Sequence, residues 1–199
     1  MKIDKTIRNV AIYASFFVIL LVILLIFPFI DNALILQLSN IQNPILNPIM
    51  VWVSNIGSGI VVFFIVTTLF LYEKRKRKWI IPLWLGFALS TFIVFALKLL
   101  ILKERPFMVL ELFAFKEFAF WNSSFPSWHA AMAFSALPVI DKEFRKIRII
   151  WILFALLILF SRVYFSYHFF SDIIAGALIG YFSGFIFVRL WEKKIKTKK

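Results

Sequence analysis

The chain has two histidines, and both stand among residue types that handle phosphate. His129 lies in the stretch FPSWHA, two positions after Ser127, and His168 lies in SRVYFSYHFFSD, between Arg162 and Asp172. On a helix, His168 and Asp172 would share one face because they are four positions apart. The carboxylate could then accept one imidazole N–H and make the other nitrogen a better nucleophile.

A third segment, KLLILKERP, adds two cations. Lys98 and Arg105 are seven positions apart, so they lie on one face if a helix continues that far, and Pro106 ends it. The proline of FPSWHA suits the first turn of a helix. Ser127 and His129 would then sit beside backbone N–H groups that can bind an anion such as phosphate.

Together these groups predict phosphoryl transfer. Lys98, Arg105 and Arg162 could neutralise the phosphoryl oxygens, and transfer needs attacking and leaving atoms in line. His168 could attack the phosphorus. His129 could protonate the leaving oxygen and then activate water. The predicted reaction is a double displacement through a phosphohistidine.

Zinc is the alternative, because two histidines and Asp172 could bind it. Three fixed cations beside the site would repel a divalent ion, however. A two-metal phosphatase also needs several carboxylates, and the predicted outer loops offer few others: Asp31, Glu104, Glu111 and Glu117. The sequence therefore favours a site without metal or cofactor.

The elements that must position these residues are predicted to be membrane helices. Hydrophobic residues make up 62% of the 199 residues and charged residues only 17%, against roughly a quarter charged in soluble domains. There is no cysteine, so disulfides and thiol chemistry are excluded. A span needs about 20 mostly apolar residues. The prediction is an all-α, single-domain membrane bundle over 1–199 with six transmembrane helices: Val10–Ile30, Ile49–Tyr72, Trp79–Leu102, Ser127–Ile140, Ile149–Tyr164 and Ser171–Trp191.

Two further segments are predicted at the outer interface. Residues 31–48 read as an amphipathic interfacial helix followed by a turn, and residues 107–121 as an aromatic cap or anchor. The N-terminal apolar run is longer than the 7–15 residues of a signal-peptide core and lacks a cleavage site, so a retained helix is expected.

Charge predicts the orientation. All but five of the 23 basic residues fall at the N-terminus, in the loops EKRKRK and DKEFRKIR, or in the tail, on one side of a six-span bundle. The positive-inside rule makes that side, with both termini, cytoplasmic. It also explains the net charge of +13 without nucleic acid. The exceptions share the outer side with both histidines: Lys98, Lys103, Arg105, Lys116 and Arg162.

The three segments resemble the motifs of the type 2 phosphatidic acid phosphatase superfamily, KxxxxxxRP, PSGH and SRxxxxxHxxxD. KLLILKERP and SRVYFSYHFFSD match at every defined position, and PSWH departs at one, where Trp128 replaces glycine. The motifs cover about 25 residues directly. Because tryptophan, unlike glycine, rarely adopts a positive φ, we expect helical dihedrals at Trp128, with its indole directed away from the phosphate, towards lipid or the cap.

The resemblance implies a role for each matching position. His168 would be the nucleophile, His129 the general acid and Asp172 the orienting partner, with no metal. Lys98, Arg105, Arg162 and Ser127 would bind the phosphate. Six-span bacterial members of this family act on lipids such as undecaprenyl diphosphate, phosphatidylglycerophosphate and lipid A at the periplasmic face of the inner membrane, so a membrane lipid is the expected substrate and the bilayer the expected partner.

Other functions stay open on the sequence. A lipid-to-lipid phosphotransferase would use the same residues with another acceptor. A lipid transporter or non-catalytic binding protein would use the cations alone, although transporters usually place polar groups near mid-membrane. Lys103 and Lys116 could contact a second phosphate, or attract anionic lipid in bulk. Nothing in the sequence indicates an oligomeric state.

Overall fold

In the computed structural model, the described residues are 27–39, 41–56, 59–109 and 123–197, with six more between 14 and 22. Helices, joined by turns and short 3₁₀ segments, form this part of the chain, which contains no strand. The α-helices are α1 (Pro28–Ser39), α2 (Leu46–Ile56), α3 (Gly59–Tyr72), α4 (Ile80–Ile101), α5 (Pro106–Val109), α6 (Trp128–Ser135), α7 (Leu137–Glu143), α8 (Arg148–Tyr164) and α9 (Phe170–Lys196). The all-α prediction is confirmed for these residues.

Three segments within the described residues are long and apolar enough to cross a membrane. They are Lys74–Val109, Arg145–Tyr164 and Phe170–Ile195, and they contain the predicted third, fifth and sixth spans. Their uninterrupted apolar runs explain why α4, α8 and α9 are the long helices. The full set of six spans stays a prediction.

The other predicted spans differ from the structure or fall outside it. Within the predicted helix 49–72, the structure describes α2 and α3 on either side of 57–58, which lie outside the described residues, so a single span there stays a prediction. The predicted helix 127–140 is two helices, α6 and α7, which meet at Ala136. Most of the predicted span 10–30 and of the cap 107–121 lies outside the described residues. The segment 31–48 is split between α1, a turn and the start of α2.

Glycines set the distance between α6 and α9. A Cβ atom at Gly176, Gly180 or Gly184 would lie within 3.0 Å of a backbone carbonyl oxygen of the helix segment opposite, that of Ser127, Ala131 or Ser135 respectively. Small residues spaced four apart allow this approach between membrane helices. Because the first of these carbonyls belongs to Ser127, the glycine stripe fixes where α6 begins relative to α9.

The largest apolar cluster lies towards the basic loops. It joins α3, α4, α7, α8 and α9 through buried residues such as Phe70, Trp79, Ile140, Trp151 and Val188. The Trp151 indole N–H donates to the carbonyl oxygen of Ala133 at 2.9 Å. Along α9, this end lies on the order of 30 Å from Asp172, since a helix rises 1.5 Å per residue. The largest apolar cluster of the described residues and the predicted site therefore lie towards opposite ends of the bundle, and smaller buried clusters pack beside the site.

Candidate active site

Four helix ends meet around the predicted site residues. α4 and α8 run towards this end of the bundle, while α6 and α9 start from it. The backbone N–H of Ser127, just before α6, donates to the carbonyl oxygen of Asp172 in α9 at 2.9 Å. The N–H of Phe107 donates to the carbonyl oxygen of Ser166, just after α8, at 3.1 Å. These main-chain bonds join the three sequence segments into one site.

The first segment reaches the site through a break in the helix, so the condition for Lys98 and Arg105 to share one helix face is not met. α4 ends at Ile101 because Leu102 adopts a left-handed conformation with φ 48°. Lys98, in the last turn, is buried, and its ammonium group donates to the carbonyl oxygen of Ser123. Arg105 follows the break, and its guanidinium donates to the carbonyl oxygen of Tyr167 at 3.2 Å.

The second segment forms a helix start. Ser127 is the N-cap of α6, with φ −74° and ψ 117°, and His129 lies in the first turn. Pro126 therefore precedes the helix, instead of lying in its first turn as expected. The hydroxyl oxygen of Ser127 is buried and has no hydrogen-bond partner among the described residues. Such a group normally finds a partner, so Ser127 is suited to bind an anion at this helix start.

Trp128 fits this start without strain. It is the first residue of α6, and the non-glycine residues with positive φ in the described part of the chain are Leu102 and Ser166. The expected helical dihedrals are confirmed. Its indole N–H donates to the hydroxyl of Thr91 at 3.1 Å. Thr91 lies about 10 Å before Lys98 along α4, so the indole points away from the cations. The half-exposed indole packs beside the exposed ring of Phe95, with 6.3 Å between the ring centroids, and its direction towards lipid stays a prediction.

His168 lies just before α9, so the condition for it to share a helix face with Asp172 is not met. Asp172 instead caps α9, where its carboxylate accepts the N–H of Phe169 at 2.8 Å. The Nδ1 atom of His168 lies 2.8 Å from the carbonyl oxygen of Ser124 and 3.7 Å from the carboxylate of Asp172. A carbonyl oxygen only accepts, so Nδ1 carries the hydrogen and Nε2 keeps its lone pair.

Burial and charge keep His168 neutral. Burial, first, and then the nearby positive charges of Arg105, Arg162 and Lys98 hold its pKa well below 6.5, and the hydrogen bond to the Ser124 carbonyl offsets only part of this. A neutral imidazole with an unprotonated Nε2 has the form that a nucleophile needs.

Arg162 completes the group of cations around the histidines. One guanidinium nitrogen donates to the hydroxyl of Ser54 in α2 at 2.5 Å, and the group lies over the ring of Tyr167, 4.5 Å from its centroid. Its Nε atom is buried without a partner in the described part of the chain. The same cations, Lys98, Arg105 and Arg162, act electrostatically on His129. The structure thus brings together both histidines and all three predicted phosphate-binding cations.

A family model described as "PAP2 superfamily" matches residues 79–196, more than half of the chain. The chain belongs to the PAP2 superfamily. The matched part contains all three motifs and runs from the start of α4 to the end of α9.

The PAP2 relatives include phosphatases. The chain is 32% identical to a protein from Sulfolobus acidocaldarius named undecaprenyl-diphosphatase, over 73% of this chain and 70% of that one. The structure of Aquifex aeolicus LpxE matches with a TM-score of 0.68 and 34% identity, over 80% of this chain and 95% of that one. A Bacillus subtilis transmembrane PAP2-type phosphatidylglycerolphosphate phosphatase shares the fold, with a TM-score of 0.71 and 22% identity over 90% and 96% of the two chains. These relatives support a membrane-embedded phosphatase.

Sequence reasoning missed several residues that support the PAP2 site. For Lys103 the sequence left open a contact with a second phosphate and an attraction to bulk anionic lipid, but its ammonium contacts two carboxylates, those of Asp31 and Asp172. Ser124 supplies the acceptor for His168, and Ser171 binds Asp31. Their place in the sequence could have indicated this role, because Lys103 lies within the first motif and Ser171 within the third. Lys116 lies outside the described residues.

The described residues contain no group of three histidine, aspartate or glutamate side chains that could hold a metal ion. Asp172 and Asp31, the two buried carboxylates, lie on either side of the Lys103 ammonium group. A cation supplied by the chain therefore stands between the two carboxylates.

Proposed function

We propose that the chain is a membrane lipid phosphatase, which removes a phosphoryl group from a lipid phosphate or diphosphate through a phosphohistidine. The convergence of three cations on two histidines at one end of the bundle carries this proposal. Binding a phosphate there would offset repulsion between Lys98, Arg105 and Arg162. The hydroxyl of Ser127 and the start of α6 add hydrogen-bond donors for the same anion.

In the first step, Nε2 of His168 attacks the phosphorus atom. A nitrogen–phosphorus bond forms while the bond from phosphorus to the leaving oxygen breaks. His129, which binds a proton once the negative charge of the bound phosphate offsets the neighbouring cations, gives that proton to the leaving oxygen. Nδ1 keeps its hydrogen and donates it to the Ser124 carbonyl oxygen, which holds the ring in the attacking tautomer. The three cations stabilise the equatorial oxygens as charge develops.

In the second step, water replaces His168. His129, now neutral, takes a proton from the water, whose oxygen bonds to phosphorus as the nitrogen–phosphorus bond breaks. Inorganic phosphate leaves, and both histidines return to their starting states. No metal or other cofactor takes part, because the fixed cations supply the positive charge that a metal would contribute.

A polyprenyl diphosphate is the substrate to test first, because the 32% identical relative is named undecaprenyl-diphosphatase. The positive charge of the loops at the other end of the bundle supports an orientation in which both termini are cytoplasmic and the site faces the periplasm or cell exterior. In that orientation, Lys98 and Arg162, near the ends of their helices, would lie at the depth of outer-leaflet headgroups.

The test is phosphate release by the purified chain in detergent from undecaprenyl diphosphate, phosphatidylglycerophosphate and phosphatidic acid, with and without EDTA. We expect release from at least one lipid, unchanged by EDTA, and a labelled phosphohistidine after denaturation at alkaline pH, where the nitrogen–phosphorus bond is stable. His168→Ala should abolish both signals. Asp141→Asn is the control and should keep both signals. Asp141 lies near the basic loops, where its carboxylate is 2.6 Å from the guanidinium of Arg148.

No release from any lipid, or equal release by His168→Ala, would refute the hydrolase. Loss of release in EDTA would refute the metal-free mechanism. Transfer of label to a second lipid, instead of to water, would show a phosphotransferase with the same site.

A further inference from the structure

Lys103 and Asp31 form a second layer behind the proposed catalytic residues. The ammonium group of Lys103 lies 2.9 Å from the carboxylate of Asp172 and 3.2 Å from that of Asp31. It also donates to the hydroxyl of Ser171 at 2.9 Å. An ammonium group has three donors, and these three acceptors use all of them. Lys103 is therefore committed to the protein and has no donor left for phosphate.

Asp31 depends on this contact. It is 1% exposed, and its other partners are the backbone N–H of Ser171, at 3.0 Å, and the Ser171 hydroxyl. Lys103 is its only ion-pair partner among the described residues. Removing one partner from a buried ion pair leaves an uncompensated charge. The start of α1, which carries Asp31, is thus tied to the start of α9, which carries Asp172.

The main chain of Lys103 reaches the nucleophile by a separate route. Its carbonyl oxygen accepts the N–H of Ser124 at 2.7 Å and the Ser124 hydroxyl at 3.2 Å. The carbonyl of Ser124 in turn contacts Nδ1 of His168. One residue therefore fixes Asp172 through its side chain and the His168 acceptor through its backbone.

Asp31 lies outside residues 79–196, the part of the chain matched by the family model. We infer that Asp31 and Lys103 are positioning residues, which together hold Asp172 and the His168–Ser124 contact in the geometry for phosphoryl transfer. The inference rests on the proposed function and extends the active site to α1. Neither residue touches the substrate, so both act on kcat through the residues that they hold.

The test compares kcat and KM for phosphate release from undecaprenyl diphosphate, using the full chain in detergent. Asp31→Asn and Lys103→Met should each lower kcat by about 10- to 100-fold, the range typical when an outer partner of a reactive group is lost, with KM within about twofold. Lys103→Arg should recover part of kcat, because it keeps the charge but changes the donor geometry. Asp141→Asn is the matched control and should keep both constants.

A double-mutant cycle sharpens the test. If Asp31 and Lys103 act as one unit, the double variant should lose less kcat than the product of the two single losses. Thermal midpoints identify variants that have merely lost their fold. Should Asp31→Asn fail to fold, Ser171→Ala tests the same contact, since the Ser171 hydroxyl bonds both partners.

Three results would overturn the inference. Folded Asp31→Asn or Ser171→Ala with wild-type kcat would show that the contact only stabilises the fold. A rise in KM without loss of kcat in Lys103→Met would show that Lys103 binds the headgroup. Independent, multiplicative losses would show that the residues do not act together. Failure of the wild-type chain to release phosphate from any lipid would instead refute the proposed function.

Discussion

Replacing Gly176 by alanine would drive a methyl group into the carbonyl oxygen of Ser127, closer than the 3.0 Å that real Cβ atoms essentially never cross. To reach an ordinary contact the two backbones must separate by roughly 1 Å, because a close-packed interior has no void to take the methyl group. Overpacking of this kind costs about 1–3 kcal/mol, and the gain in helix propensity offsets about 1 kcal/mol. We therefore expect a net loss of up to about 2 kcal/mol.

Activity should fall further than stability explains. The carbonyl that must move belongs to the N-cap of α6, two residues before His129. A misplacement of about 1 Å in a catalytic group costs on the order of 100-fold in rate. Gly184→Ala is the matched control, because its Cβ would meet the Ser135 carbonyl just as closely but lies about 12 Å further from the site along α9.

The assay is phosphate release from undecaprenyl diphosphate below the thermal midpoint of each variant, with midpoints measured in the same detergent. Both variants should melt earlier than the wild type, and only Gly176→Ala should lose about 100-fold in kcat. Equal losses of kcat in the two variants would show that the displacement is not local to the start of α6. A Gly176→Ala variant with wild-type midpoint and activity would refute the close-contact reasoning altogether.

Two further predictions concern Trp128 and His168. Trp128→Phe should lower the free energy of unfolding by about 1 kcal/mol, the usual contribution of a hydrogen bond, and Thr91→Val should lower it by a similar amount. Both variants should keep near wild-type kcat in the phosphate assay. A large loss of kcat would contradict the direction assigned to the indole. The pKa of His168 in the folded chain lies well below 6.5, so below pH 6.5 the unfolded chain binds a proton that the folded chain does not. Stability should therefore be full above pH 6.5 and fall below it, by at most about 1.4 kcal/mol per pH unit for this group, until the folded pKa is reached. His168→Asn should show a shallower fall in thermal midpoint from pH 7 to 5, and an identical fall would contradict the assignment.

The sequence predicts the long helices well because their signal is local. α4, α8 and α9 are uninterrupted apolar runs, and their predicted bounds lie within five residues of the observed ones. The predicted helix 127–140 is two shorter helices, and the break at Ala136 lies just before a helix with a proline, Pro138, in its first turn. Length and hydropathy show that a segment can cross a membrane, but they do not count a proline, which lacks the backbone N–H of a continuous helix.

The site residues are named by the motifs, but their contacts are not. The motifs bring His168, His129 and the three cations into one proposal. They do not show that Asp172 contacts Lys103 more closely than His168, or that Ser124 holds the imidazole. Those contacts join residues more than 40 positions apart, so no periodicity reports them. Asp31 is 141 positions from Asp172, so no local sequence pattern predicts that it lies beside the site.

The motif spacings acquire a different physical meaning from the one that helical periodicity gives them. Seven positions between Lys98 and Arg105 span a helix end, where Leu102 is left-handed. Four positions between His168 and Asp172 span a helix start, where Asp172 caps α9. In both cases a helix terminus redirects the chain so that one residue stays on the rigid helix and the other reaches across the site. Cations and histidines can then surround a phosphate from several sides, which residues aligned on a single helix face could not do.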